Sequence, residues 1–270
     1  MTLSLSGRLI EVEYRHCDMP IHDFLRFARS SGFHAVELRA TQILDETTSD
    51  EATEIRRQSL ELGLGISCVN VPRLPENGEG LRALKRTALL VSAMGCATLK
   101  TWSTNAEWIR TACDALEPHG IGIIAQTHTG GPFETVSSCL DAVARIDRRS
   151  FGLQYDPANL LEAGEGYGED AVERLGGNIR QLSVQNVRLA QADEPGSWEH
   201  QGRRYVRCSL GDPAGLDYDS VFRGLRAIGF DGFVTLNEPR PAGDERGGFA
   251  RQAAEELGRL IQKAHIVKIE

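Results

Sequence analysis

The chain lacks the features that would place it in a membrane or on nucleic acid. No stretch approaches the ~20 consecutive apolar residues that a membrane span needs. No basic face or tail accompanies the net charge of -8, so a nucleic-acid partner is not expected. The opening stretch, MTLSLSGRLIEVEYRH, lacks the basic start and the long apolar run of a signal peptide. We therefore expect a protein with neither a membrane nor a nucleic-acid partner.

Paired cysteines are also missing. The six cysteines are scattered and none forms a CxxC pair, which disfavours a zinc or redox site. In a chain of 270 residues they are interpreted as reduced thiols that pack in the interior, and this predicts a cytoplasmic protein. With 41% hydrophobic and 25% charged residues the composition is that of a globular protein. This length suits one α/β barrel or two ordinary domains.

Short apolar runs alternate with segments of helical period along the whole chain. Eight runs are predicted to be strands: RLIEVEYR, HAVELRA, LGISCVNVP, CATLKTWS, GIGIIAQTH, FGLQYDPANL, IRQLSVQNV and FVTLNEP. Amphipathic helices are predicted between them, for example over 107–116 and 135–147. The rhythm has no linker, so it predicts a single (β/α)8 TIM barrel over residues 1–270. A doubly wound sheet with a second domain is the alternative, but no boundary is visible.

The segment between the seventh and eighth predicted strands is longer than the others. This insertion, at about 189–217, is polar and aromatic and contains WEHQGRRYVR. Extra length after a strand's carboxyl end is typical of a lid or substrate loop, and we expect its arginines to approach an anionic or hydroxyl-rich ligand. A contact with a neighbouring subunit of a homo-oligomer, or with a partner subunit, is the competing interpretation, since Trp, Tyr and Arg are also frequent at interfaces.

Polar side chains follow nearly every predicted strand. They are Glu37 and Arg39, Asn70, Lys100 and Trp102, Gln126 and His128, Asp156 and Asn159, Gln185 and Asn186, and Asn237 and Glu238. In a (β/α)8 barrel the carboxyl ends of the strands form the active-site face. Burying so many polar groups at one rim without a ligand, water or metal would cost free energy. The pattern therefore predicts a binding site for a small molecule without defining its reaction.

Four stretches resemble a known family. SGFHAVELRA, GIGIIAQTHTG, FGLQYDPANL and AIGFDGFVTLNEPRP are similar to segments of the sugar phosphate isomerase/epimerase family, the xylose isomerase-like TIM barrels. Within that family they resemble the inosose isomerases, ketose 3-epimerases and hydroxypyruvate isomerases most. The resemblance implies a carbohydrate-like substrate and a divalent metal, Mn²⁺ or Mg²⁺.

The same resemblance implies a set of metal ligands, matched stretch by stretch. They are Gln126, Asp156, Gln185 and Asn237. Members of the family have Glu where Gln126 stands in QTH, and they have His where Asn159 stands in DPAN. The family's last ligand is a Glu at the fifth position after the Gly of GFxG, and counting from Gly232 that position is Asn237. Both metal-bound glutamates of the family are thus replaced by amides.

The register of the last strand decides which side chain enters the site. Strand alternation puts Thr235 and Asn237 on one face and Leu236 and Glu238 on the other. We therefore expect Asn237 to point into the barrel mouth and Glu238 to point away from it. Outside the mouth, Glu238 would cap the last helix or pair with Arg240. The stretch Arg240–Pro241 matches the ending of inosose isomerase-like sequences and supports this register.

The substitutions change the chemistry that this site can perform. Amide oxygens can bind a hard cation, but one carboxylate in four ligands predicts that divalent metal binding is weak or absent. Gln and Asn cannot act as general bases, so the two-glutamate proton transfer cannot operate unchanged. Two hypotheses follow: an isomerase, epimerase or related lyase with relocated chemistry acting through an enediolate-type proton transfer, or a non-catalytic binding protein or partner subunit.

If the protein is an enzyme, its functional groups are drawn from the remaining polar residues of the rim and the insertion. The candidate acids and bases are His128, Glu37 and Glu238. The candidate substrate-binding residues are Arg39, Lys100, Trp102, His200 and Arg207. His128 has a second interpretation, in which it orients the fifth strand, and Glu37 could instead orient a neighbour or a substrate hydroxyl.

Overall fold

The computed structural model describes residues 1–239 and 245–266. The strands are β1 Thr2–Ser6, β2 Glu11–Val12, β3 His16–Cys17, β4 Ala35–Leu38, β5 Gly65–Asn70, β6 Thr98–Thr101, β7 Gly122–Gln126, β8 Phe151–Tyr155, β9 Ile179–Val184, β10 Val187–Leu189, β11 Trp198–His200, β12 Arg203–Arg207 and β13 Phe233–Leu236. The α-helices are α1 Ile21–Ser30, α2 Ser49–Glu61, α3 Gly78–Ala93, α4 Ala106–Leu116, α5 Val136–Ile146, α6 Pro157–Glu162, α7 Glu169–Leu175, α8 Tyr218–Ala227 and α9 Arg246–Ile266.

Eight parallel strands close into a barrel in the order β1-β13-β9-β8-β7-β6-β5-β4, with helices around it. The predicted (β/α)8 TIM barrel is therefore confirmed. Among the described residues, no helix is both long and apolar enough to cross a bilayer. Helix starts are capped by side chains such as Thr48, Asn105 and Thr135.

One strand prediction is wrong. The first barrel strand is β1, TLSLS, and the predicted RLIEVEYR instead forms a 3-10 helix, Gly7–Ile10, followed by the β2–β3 hairpin. Ser6 caps the 3-10 helix by accepting from the Arg8 N–H. The turn of the hairpin has positive φ at Glu13 and Tyr14, +48° and +59°. The true strand was missed because its inward residues are serines and it has only two leucines to signal it.

The barrel interior is polar. Ser4, Ser67, Gln154, Gln181 and Thr235 are buried inside it, where branched aliphatic residues are more usual. Four of these residues are linked: Ser4 Oγ and Ser67 Oγ are 2.8 Å apart, Gln181 Nε2 donates to the Ser67 carbonyl at 2.7 Å, and Gln154 Nε2 donates to Gln181 Oε1 at 3.2 Å. Thr235 Oγ1 has no hydrogen-bond partner among the described residues. The network therefore fixes four inward side chains below the mouth.

The insertion after β9 is an ordered sheet. Strands β10, β12 and β11 pair antiparallel in that order. Val187 lies opposite Arg207, and Leu189 lies opposite Tyr205, whose side chain is fully buried. Because Val187 follows Gln185 by two residues, this pairing brings Arg207 back to the barrel rim.

Candidate active site

A cavity of about 170 Å³ lies at the carboxyl ends of the barrel strands. Its walls are Arg8, Tyr14, Arg39, Trp102, Gln126, His128, Asn159, Glu162, Gln185, Trp198, Arg207 and Asn237. A neighbouring cavity of about 600 Å³ and another of about 350 Å³ share Trp102 and His128 with it. We call the cavity of about 170 Å³ the mouth cavity.

The predicted site residues divide into two groups. Seven line the mouth cavity: Arg39, Trp102, Gln126, His128, Gln185, Arg207 and Asn237. Five do not line it: Glu37, Lys100, Asp156, His200 and Glu238. The second group lies beneath or behind the walls, so any effect of these side chains on a ligand must pass through the lining residues.

Asp156 holds the floor of the cavity together. Its Oδ2 accepts from Gln126 Nε2 at 2.6 Å, from Ser183 Oγ at 2.8 Å and from Gln185 Nε2 at 2.9 Å. Its Oδ1 accepts from the backbone N–H groups of Ala158 and Asn159, because Asp156 caps α6. Complete burial raises the pKa of Asp156, although Ser183, Asn159 N–H and Gln126 act against it. All of its acceptor sites are used.

The end of β13 follows the predicted register. Asn237 lines the mouth cavity and donates through Nδ2 to Ser183 Oγ at 3.1 Å, while its buried Oδ1 has no hydrogen-bond partner among the described residues. Glu238 lines a different, small cavity behind the insertion. Arg240 and Pro241 lie outside the described residues.

The structure gives Glu238 two partners that the sequence analysis did not name, and the predicted pairing with Arg240 lies outside the described residues. Glu238 is buried, and its Oε2 accepts from Arg207 Nη1 at 2.7 Å while its Oε1 accepts from the Asn186 N–H at 2.6 Å. It therefore neither caps the last helix through these oxygens nor stands free as a base. The reason is the β10–β12 pairing, which brings Arg207 over the end of β13.

Glu37 lies in a buried charge network below the mouth. Its oxygens are 3.7 Å from Lys100 Nζ and 3.8 Å from Arg39 Nη1, and they accept from Gln154 Nε2 at 2.7 Å and Asn70 Nδ2 at 3.1 Å. Burial alone would raise the pKa of Glu37, but Lys100, Arg39 and the amides outweigh it and lower the pKa to about 2. A carboxylate so firmly ionised is a poor proton carrier near neutral pH.

Lys100 and His200 are also outside the lining. Lys100 is fully buried, its Nζ has no hydrogen-bond partner in the described part of the chain, and burial lowers its pKa. It lies 5.6 Å from the Trp102 ring centroid and so supports the cavity wall from below. His200 pairs with Arg203 across the β11–β12 turn. Of the three arginines of the insertion, only Arg207 reaches the cavity.

Two lining residues from the β2–β3 region were missed by the sequence analysis. Arg8 packs its guanidinium 3.9 Å from the centroid of the Tyr14 ring, and its remaining ion pair is a 3.5 Å contact to Glu11. Burial lowers the pKa of Arg8, and the charges of Arg39 and Arg207 act in the same direction. Arg8 and Tyr14 were missed because RLIEVEYR was predicted to be a strand, whereas it is the segment that follows β1.

Among the described residues that line the mouth cavity, Glu162 is the one carboxylate. It ends α6, and Trp198 Nε1 donates to its Oε2 at 3.2 Å. Burial raises the pKa of Glu162, and the nearby negative charge of Asp156 raises it further. A helical period starting at Asn159 would have found it, since residues three apart share a helix face.

A sequence model of the xylose isomerase-like TIM barrel family matches residues 25–263. The chain belongs to this family. One curated relative is a 3-dehydroshikimate dehydratase of Bacillus anthracis, 19% identical over 176 residues, which cover 58% of this chain and 63% of the relative. The match thus spans less than two thirds of that relative's length.

Solved structures show the same fold. A probable 3-DHS dehydratase from Bacillus anthracis superposes with a TM-score of 0.74 at 17% identity, covering 96% of this chain and 99% of that one. An L-ribulose 3-epimerase superposes with a TM-score of 0.76 at 13% identity, covering 98% and 95%. The fold of this chain is therefore shared with an epimerase and with a probable dehydratase.

The family resemblance implies a divalent cation, and the donor set of this barrel does not fit one. Of Gln126, Asp156, Gln185 and Asn237, only Asp156 is charged, and its oxygens already accept five hydrogen bonds. Gln185 Oε1 accepts from Arg207 Nη1 at 3.0 Å. The described residues contain no group of three or more His, Cys, Asp or Glu able to hold a metal. A unit positive charge about 4 Å from the Arg207 guanidinium would be repelled by about 4 kcal/mol at an effective dielectric constant of about 20. The guanidinium therefore opposes the binding of a metal ion at Gln185 Oε1.

Proposed function

We propose that the protein is an enzyme that transfers protons on a small, carboxylate-bearing polyhydroxy carbonyl compound, as an isomerase, epimerase or related lyase. The observation that carries this proposal is the lining of the mouth cavity, which contains the three arginines Arg8, Arg39 and Arg207 together with the carboxylate Glu162. Cations bind an anionic substrate, and a carboxylate whose pKa is raised moves a proton.

The volume of the mouth cavity indicates the size of the part of a substrate that it can hold. Its volume is about 170 Å³, and an apolar cavity of about 150 Å³ holds a benzene molecule. A six-carbon ring or a short open chain with a few polar substituents therefore fits. Polar walls, including the unpartnered Oδ1 of Asn237, favour hydroxyl groups on that framework.

The arginines have different tasks. Arg39 is committed to the protein, because its guanidinium bonds Glu11 and Asn70 at 3.1 to 3.2 Å. Arg8 has one ion pair, to Glu11 at 3.5 Å, and Arg207 is 40% exposed beside the cavity. Arg8 and Arg207 therefore have N–H groups to donate to a substrate carboxylate or carbonyl oxygen.

Glu162 and His128 supply the proton carriers. Trp198 occupies Glu162 Oε2, which leaves Oε1 to take a proton from the carbon next to the substrate carbonyl. His128 Nδ1 lies 3.1 Å from the Thr129 carbonyl, and in the tautomer that donates to this carbonyl Nε2 is the acceptor nitrogen. Returning the proton to another carbon or another face gives isomerisation or epimerisation, and protonating a departing hydroxyl gives elimination.

The two named relatives provide the first substrates to test. The dehydratase name points to 3-dehydroshikimate, a ring with a carboxylate, and the epimerase name points to L-ribulose, a neutral sugar. The arginines of the cavity favour the acid over the sugar. We expect 3-dehydroshikimate or a similar acid to bind more tightly than L-ribulose.

The test is Glu162→Gln with Glu165→Gln as the matched control. Glu165 lies three residues farther along and outside the cavity lining. Loss of a general base lowers turnover by about 10²- to 10⁴-fold, so we expect that fall in kcat for Glu162→Gln and none for Glu165→Gln. Binding measured by calorimetry should change little. An unchanged kcat in Glu162→Gln would contradict the assignment.

A binding protein without turnover is the second candidate function. It is favoured by the saturation of Asp156 and by the commitment of Glu238 to Arg207 and Asn186. These contacts leave Glu162 and His128 as the remaining proton carriers of the mouth cavity. Tight binding of an acid with no turnover and no exchange of its hydrogens with solvent would favour this candidate.

A further inference from the structure

The guanidinium of Arg207 is held by two acceptors from different strands. Arg207 Nη1 donates to Glu238 Oε2 at 2.7 Å, beyond the end of β13, and to Gln185 Oε1 at 3.0 Å, beyond the end of β9. Its carbon Cζ lies 5.5 Å from the centroid of the Trp198 ring. Three contacts therefore fix one positive charge at the edge of the mouth cavity.

Glu238 is the counter-ion of this guanidinium. Its side chain is 6% exposed, and its second oxygen accepts from the Asn186 N–H at 2.6 Å. A buried carboxylate needs a counter-charge, and among the residues that the structure describes Arg207 is the cation in contact with it. Glu238 thus has both oxygens occupied and cannot turn into the cavity without leaving Arg207.

Gln185 links Arg207 to Asp156. Its Nε2 donates to Asp156 Oδ2 at 2.9 Å while its Oε1 accepts from Arg207. The two partners fix the orientation of the amide, because a carboxylate accepts and a guanidinium donates. A cation that took Gln185 Oε1 as a ligand would have to displace the guanidinium.

We propose that Arg207, held by Glu238 and Gln185, is the resident cation of this barrel and takes the place of the divalent metal. This inference extends the proposed function, and the catalytic role that it gives to Arg207 rests on that function. Arg207 would donate N–H groups to the oxygen that becomes negative when the carbon beside a carbonyl loses its proton. A fixed charge that is already oriented stabilises such an oxygen without reorganisation of solvent.

Mn²⁺ binding to chelator-treated protein, measured by electron paramagnetic resonance, tests the proposal. Wild type should show no stoichiometric binding. In Arg207→Ala the carboxylate of Glu238 and the oxygen of Gln185 lose their cation, so we expect at least about 10-fold tighter Mn²⁺ binding than in wild type. The double variant Arg207→Ala/Glu238→Gln should lose that gain, and methylguanidinium should compete with Mn²⁺ in Arg207→Ala.

Arg207→Lys keeps a positive charge and serves as the conservative control, which should exclude Mn²⁺ as wild type does. It also covers the case in which Arg207→Ala does not fold. Stoichiometric Mn²⁺ binding by wild type, binding by Arg207→Lys, or a folded Arg207→Ala that gains none would overturn the proposal. The measurement uses no substrate, so its failure is distinct from a failure of turnover in the Glu162→Gln experiment.

Discussion

The two halves of the barrel mouth hold their buried carboxylates in opposite ways. On the β4–β6 side, Glu37 is neutralised by the full charges of Lys100 and Arg39, and its pKa falls to about 2. On the β7–β9 side, Asp156 is held by amides, a hydroxyl and backbone N–H groups, and burial raises its pKa.

This difference distinguishes a structural half of the barrel mouth, around Glu37, from the half around Asp156 that lines the ligand space. The charges around Glu37 offset one another, and of Glu37, Lys100 and Arg39 only Arg39 lines the cavity, where it is committed to Glu11 and Asn70. On the other side the neutral amides of Gln126 and Gln185 line the ligand space. The cavity-lining residues Glu162, whose pKa is raised, and Asn237, whose Oδ1 has no partner among the described residues, also lie on that side. We infer that the first half fixes the shape and the second half performs the chemistry.

The largest effect expected from this comparison is on stability. Glu37→Gln leaves Lys100 without its buried ion-pair partner, whereas Arg39 keeps Glu11, and removing one partner of a buried ion pair costs about 3 to 5 kcal/mol. Asp156→Asn should cost less, about 1 to 3 kcal/mol, because it breaks hydrogen bonds to neutral groups and leaves no ion-pair partner behind. Urea denaturation measures both free energies of unfolding.

The control for these variants is Glu54→Gln on α2. Glu54 pairs with Arg57 on the exposed surface, so its loss should leave the urea midpoint unchanged. An equal loss of stability in Glu37→Gln and Asp156→Asn would remove the distinction between the two halves.

The next effect is the acid dependence of stability. The pKa of Glu37 is depressed from 4.5 to about 2 on folding, so its contribution is complete above pH 4.5 and is lost as the pH falls toward 2. A depression of this size corresponds to about 3 kcal/mol. The free energy of unfolding of wild type should therefore fall more steeply between pH 4.5 and pH 2 than that of Glu37→Gln. Parallel curves would show that Glu37 is not strongly ionised.

The smallest expected effect concerns the ligand. Arg8→Ala removes a guanidinium from the mouth cavity, and a hydrogen bond to a charged group contributes about 1.5 to 3 kcal/mol. Affinity for an acid ligand should thus fall about 10- to 150-fold, with the urea midpoint near that of wild type. Arg15→Ala is the control from the same hairpin, because Arg15 does not line the mouth cavity. Equal losses in both variants would point to a general charge effect.

The fold was predictable from the sequence because its signals are local. Seven of the eight barrel strands lie within predicted runs, since each has a continuous apolar stretch closed by a turn. The first strand was mistaken because β1 alternates serine with leucine, while the following RLIEVEYR has the stronger pattern. That shift also hid Arg8 and Tyr14, which lie after the true strand and so reach the mouth.

The site was less predictable because its decisive contacts are non-local. Asn237 was placed in the cavity by counting from Gly232 and by alternation along one strand. The Arg207–Glu238 pair depends on how β12 pairs with β10, and no pattern within either segment specifies that pairing. The same holds for Glu162, whose pKa is raised by burial that only the packing of Trp198 and α6 produces.

Solvent deuterium exchange tests the central claim, that the mouth cavity transfers protons without a divalent metal, most directly. Wild-type protein is incubated in D₂O and EDTA with a panel of small polyhydroxy keto acids, and hydrogen exchange is followed by proton nuclear magnetic resonance. We predict that at least one acid exchanges the hydrogen beside its carbonyl at a rate that EDTA does not change and that Glu162→Gln lowers at least about 100-fold. Exchange that requires added Mn²⁺ or Mg²⁺, or binding of these acids with no exchange, would contradict it.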